Sequence, residues 1–197
     1  VAVVPADVTS ATPEPFARAL RELDTMQWRR EFTTDEIGSP QRIAPYSVAI
    51  EGELGDGGDE ALSTGRLILL HDPAGNDSWS GTFRLVTYVR AEVDLDMVTD
   101  PLLPDVAWSW FTDALAHRGC VAHALAGTVT ASYGKGFGDM ADADRAEVEL
   151  RCSWTPTLDV RHPLTAHLAA WEDLMGHVAG QPPLPPGVSS LPTGRRG

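Results

Sequence analysis

Lysine is almost missing from this chain: Lys135 is the sole example among 197 residues, and arginine carries nearly all the other positive charge. The 15 basic residues face 28 acidic ones, 15 − 28 = −13. So few cations cannot neutralise a phosphate backbone over a broad face, so direct nucleic-acid binding is not expected, and anionic membranes are disfavoured for the same reason. Cysteine is scarce as well. Cys120 and Cys152 are too few for a disulfide framework, and neither belongs to a CxxC pair. No apolar run approaches the roughly 18 residues of a membrane span. The opening Val1-Ala2-Val3-Val4-Pro5 is short and has no basic leader, so it does not read as a signal peptide. Together these absences leave a cytoplasmic protein as the expectation.

What is present suits a globular domain. Hydrophobic residues make up 43% of the chain and there are six tryptophans, enough to bury a proper core in one unit of this length. Residues 1–12 read as a flexible arm, 13–180 as a single domain and 181–197, with Pro182-Pro183-Leu184-Pro185-Pro186, as an extended proline-rich tail. Pro13 and Pro15 open a helix with Phe16, Leu20 and Leu23 on one face. Residues 31–40 read as a linker with some extended character. Strands are expected near Ile43–Leu54, Gly65–Leu70 and Thr82–Asp94, then a helix from about Asp105 closed at Gly119. Two more strands follow, Val121–Tyr133 and Ala146–Thr155. In the second, Val148, Leu150, Cys152 and Trp154 alternate with Glu149, Arg151 and Ser153. A last helix carries the stripe Leu164, Leu168, Trp171, Met175 and Val178.

The element order αβββαββα implies an α+β fold, one five-stranded, largely antiparallel sheet with helices packed on it. By topology alone this is analogous to type III secretion chaperones, an analogy that carries no function. Loops 55–64 and 133–145 are the candidates for ordering on binding.

The stretch Leu67–Gly81 invites a catalytic reading, because an aliphatic run ends on His71-Asp72. Adjacent residues of an extended chain point to opposite faces, which spoils a dyad. Asp72-Pro73-Ala74-Gly75 also has the chemistry of a hairpin turn, with Trp79 free to fold back over the sheet. Metal binding gains little: no pair of histidines has a spacing that aims two ligands together, and solvated histidines are the expectation. Tyr133–Asp139 lacks the lysine-hydroxyl ending of a phosphate loop, and Asp139, Asp142 and Asp144 do not match a calcium loop. No cofactor is implied. Trp108-Ser109-Trp110-Phe111 is the best hint of an interface, since Trp108 and Trp110 diverge by about 200° on a helix and cannot both enter one core. Candidate contact residues are therefore His71, Asp72, Trp79, Arg84, Tyr88, Trp108 and Trp110, with no catalytic or metal residue assigned.

Pro40–Tyr46, Gly65–Pro73, Gly81–Tyr88, Asp100–Pro104, Ala107–Trp110, Gly127–Thr130 and Glu149–Pro156 together resemble the actinobacterial family catalogued as domain of unknown function 3000, over roughly residues 13–192. The resemblance implies a cytosolic protein with no catalytic residues to carry over and a link to RNA metabolism, with a ribonuclease D-like exonuclease as a neighbour. Taken together, these residues point to a non-catalytic binding or adaptor module acting through a protein partner or as a homodimer. The alternative is a small-molecule binder or enzyme with a pocket between sheet and tail.

Overall fold

The computed structural model describes residues 12–40, 42–55, 61–141 and 144–183. The expected N-terminal arm and proline-rich tail, apart from their domain-side ends, lie outside these residues, as do the centres of loops 55–64 and 133–145.

Six strands, all antiparallel, form one sheet: β1 (Phe32–Ile37), β2 (Tyr46–Leu54), β3 (Ser63–Asn76), β4 (Gly81–Glu92), β5 (Ala122–Gly134) and β6 (Arg145–Pro156). Their order across the sheet is β1-β2-β3-β4-β6-β5. The chain leaves β4 through two helices, α2 (Leu95–Val98) and α3 (Leu103–His117), and lands at the far edge; β6 then returns into the gap between β5 and β4. A helix α1 (Glu14–Asp24) precedes the sheet and α4 (Leu164–Val178) follows it.

Helices α1, α3 and α4 share one face of the sheet. The period-two pattern of the strands supplies the floor: Val48, Ile50 and Leu54 of β2, Leu67 and Leu69 of β3, Leu85 and Val89 of β4, and Val148, Leu150, Cys152 and Trp154 of β6 are all buried. Helix α4 lies over β3 and β4 between α1 and α3, and Leu164, Leu168, Trp171, Met175 and Val178 all face inward. Being covered on several sides, α4 also buries Glu172 and Asp173. Each has a partner from afar. Glu172 accepts the Arg29 backbone N–H at 2.7 Å, and both Asp173 oxygens accept from Arg118 at 2.6 Å, which ties the end of α3 to α4.

Several expectations need correction. The sheet has six strands rather than five, because Phe32–Ile37, read as a linker, pairs with β2 from Phe32↔Leu54 to Ile37↔Ala49. An edge strand buries little, so its alternation is weak: only Phe32 is fully buried. The element order differs accordingly, and the short α2 adds to the difference. β3 runs on to Asn76 instead of ending at Leu70, with a register shift between His71 and Asn76. Two of the six histidines, His71 and His167, are buried rather than solvated.

Candidate functional site

His71 and Asp72 lie on opposite faces, as strand geometry requires. His71 faces the helices, 2% exposed, stacked on Phe83 with centroids 4.1 Å apart and parallel to Phe16 at 5.8 Å. Its Nδ1 donates to the Thr82 carbonyl at 2.9 Å, while Nε2 has no partner among the described residues. Burial holds the imidazole below its ordinary pKa despite that hydrogen bond and the Asp72 charge. A neutral ring between two phenyl groups is a core residue. Asp72 instead accepts the Ala74 N–H at 3.0 Å within the irregular end of β3; the hairpin turn expected at Asp72–Gly75 falls further on, at residues 77–80, because β3 continues to Asn76.

Arg84 and Trp79 are brought together at the end of the open face. Arg84 is 9% exposed, and its guanidinium donates to the Ala124 carbonyl (2.8 Å), Thr155 Oγ1 (3.0 Å) and Ser153 Oγ (2.6 Å). Thr155 passes the chain on, donating to the Trp79 carbonyl at 2.5 Å. Ala124 has φ +49° at the point where the β5–β6 register shifts, and this turns its carbonyl toward Arg84. A left-handed non-glycine residue costs on the order of 1 kcal/mol, offset here by a charge-assisted hydrogen bond. Desolvation lowers the Arg84 pKa, yet a guanidinium stays charged. The cluster binds β4, β5 and β6 to the β3–β4 turn.

Tyr88 stands apart on the open face, in a groove of about 560 Å³ with Arg66, Arg90 and Arg151 at its rim and Ile68 and Val86 on its floor. Each arginine is neutralised locally: Arg66 by Glu51 (3.1 Å), Arg90 by Glu147 (3.5 Å) and Arg151 by Glu149 (3.0 Å). The Arg151 guanidinium also lies 5.3 Å from the Tyr88 ring centroid. Burial, then the Glu149 carboxylate, push the Tyr88 phenol up. The groove does not include His71, Asp72 or Arg84; most of the tail expected to form a pocket with those residues and Tyr88 lies outside the described residues.

Trp108 and Trp110 are both half-buried against the core. Trp108 leans over β5, where a Cβ on Gly127 would lie 2.7 Å from its Cζ3 and 2.5 Å from the Arg151 carbonyl oxygen. Glycine is what lets this ring reach the strand. Phe111 takes the inward position, with its ring 5.2 Å from Trp154.

Sequence reasoning missed the feature that lies beside Trp108. β5 is the outer strand of the sheet beyond β6, and all of its residues except the half-buried Ala122 and Val129 are exposed. Residues 121–134 contain no Asp, Glu, Lys or Arg. The opposite edge, β1, is short and carries Asp35 and Glu36. Proteins usually guard edges with shortness and charge; β1 has both devices, and β5 has neither among its own residues. The run without charge was visible in the sequence, but its position at an edge is a property of the strand order.

Among the described residues no group of three or more His, Cys, Asp or Glu side chains converges to hold a metal, and no helix is long and apolar enough to cross a membrane. A family model described as a protein of unknown function (DUF3000) matches residues 12–189. No curated protein and no solved structure matches the chain, so the analogy to type III secretion chaperones gains no support.

Proposed function

Starting from the chain's membership of the DUF3000 family, whose description assigns no activity, we propose that the protein is a binding module that acts through protein contacts made at the β5 edge. The observation that carries this reading is a long strand whose outer edge no other strand pairs among the described residues, with most side chains exposed and no charge over residues 121–134. An added strand would satisfy the backbone groups of that edge, and alternate side chains would set its specificity. Leu125 and Tyr133, exposed at 37% and 44%, offer apolar contacts toward the ends of the strand.

Site-specific photo-cross-linking in cells tests it. A photoreactive residue at position 130 of β5 should give discrete protein adducts, and one at position 35 of β1 should give none. A ribonuclease D-like exonuclease is one partner to score among the adducts. No adduct at position 130, or equal adducts at both edges, would refute the reading.

A second reading, a small-molecule site on the open face, draws on the groove around Tyr88. A compound whose thermal stabilisation of the protein is lost in Arg151→Ala would favour it.

A further inference from the structure

We propose that the strand received by β5 is β5 of a second copy of this chain, paired antiparallel about a two-fold axis through Val129. This deepens the reading of β5 as the contact edge and rests on it.

Past the irregularity at His123–Ala126, the sequence Ala126-Gly127-Thr128-Val129-Thr130-Ala131-Ser132 is close to a palindrome in size and chemistry. A two-fold at Val129 sets Val129 against itself, Thr128 against Thr130 of the second copy, Gly127 against Ala131 and Ala126 against Ser132. Both halves of the interface are then identical, as an isologous contact requires. Every opposed pair is matched: threonine meets threonine, a favourable cross-strand pair, and small residues meet small residues. The one β-branched apolar residue sits on the axis.

Charge points the same way. Two copies of a chain with net charge −13 repel over most of their surface. β5 is a strand along which no like charges are brought together. At β1, by contrast, the adjacent Asp35 and Glu36 would stand near their own copies in any antiparallel self-pairing.

The helical layer agrees with this geometry. Antiparallel edge pairing keeps both helix layers on the same side of the joined sheet, because its axis is perpendicular to the strands and to the sheet. α3 leans over β5 through Trp108 and Gly127, so it comes beside its copy.

Within one copy, Thr128 is in register with Arg151 and Thr130 with Glu149, so Thr128→Glu with Thr130→Lys meets opposite charges in its own sheet, whereas a glutamate at 130 faces Glu149 and the fold of the double-glutamate variant has to be checked alongside its association. Sedimentation of the full chain should show a dimer. Thr128→Glu combined with Thr130→Glu sets two carboxylates against two across the axis and should weaken association at least about tenfold. Thr128→Glu combined with Thr130→Lys sets opposite charges there and should restore the dimer, while circular dichroism reports both variants folded. A monomeric wild type at all concentrations, or two variants that dissociate alike, would overturn the proposal. A monomer that still yields adducts with a different protein from position 130 would remove self-pairing alone; a monomer with no such adducts would remove the contact edge too.

Discussion

Acidification should destabilise this fold through a single buried imidazole, and the size of the effect follows from its surroundings. His167 on α4 is 1% exposed, and its Nδ1 accepts the indole N–H of Trp154 at 3.1 Å. Accepting there requires Nδ1 to be unprotonated. Burial lowers the pKa from 6.5 to about 4. The unfolded chain therefore binds a proton that the folded chain refuses, and stability is complete above the unfolded value and lost as pH falls through the window from 6.5 toward 4. Linkage over that window gives a loss of about 2 kcal/mol between about pH 7.5 and about pH 5. That is a sizeable part of the ~5–15 kcal/mol that holds a typical domain together. His71, also lowered by burial, adds to the loss in the same direction. Carboxylates contribute their own pH dependence, so the informative quantity is a difference between variants. His167→Asn keeps an acceptor near the indole N–H and removes the titrating group. Urea unfolding at the two pH values should show the wild type losing about 2 kcal/mol more than His167→Asn. Equal losses would mean that His167 is protonated in the fold or open to water, and the packing of α4 on β6 would have to be redrawn.

Two substitutions test how the helix layer is attached. Asp173→Asn leaves Arg118 without its carboxylate; a fully buried pair broken on one side costs about 3–5 kcal/mol, and with the Arg118 side chain 35% exposed a loss of about 2 kcal/mol is expected in urea titration. Gly52→Ala drives a methyl to 2.6 Å from Trp171 Cη2 and 2.8 Å from Phe32 Cζ, so thermal melting should show a net destabilisation of about 1–2 kcal/mol despite the better strand propensity of alanine.

The fold was legible wherever local periodicity coincided with burial. β6 alternates cleanly because it is a central strand with the helices on one side and solvent on the other, and the α4 stripe is apolar because the sheet lies beneath it. Legibility ended where long-range pairing decided the outcome. Nothing local says that β6 inserts between β4 and β5, or that Phe32–Ile37 joins the sheet at all. Glu172 and Asp173 look like surface residues in a helix sequence; only the distant Arg29 backbone and Arg118 make their burial tolerable. At the candidate site, alternation correctly separated His71 from Asp72, whereas the expectation that Trp108 and Trp110 could not share one core did not hold, since both pack half-buried against it. Alternation could not reveal that Trp108 leans on an unguarded edge, because edges are defined by the strand that is missing.

The central claim is that the outward backbone of β5 is paired when the protein is at work. Amide hydrogen exchange of the full chain reads this directly. At concentrations where the dimer forms, the outward amides of Gly127–Ala131 should become slow, approaching those of β6, and should turn fast again on dilution or when both Thr128 and Thr130 are replaced by glutamate. Fast exchange along β5 at every concentration and with every cross-linked partner would contradict the account.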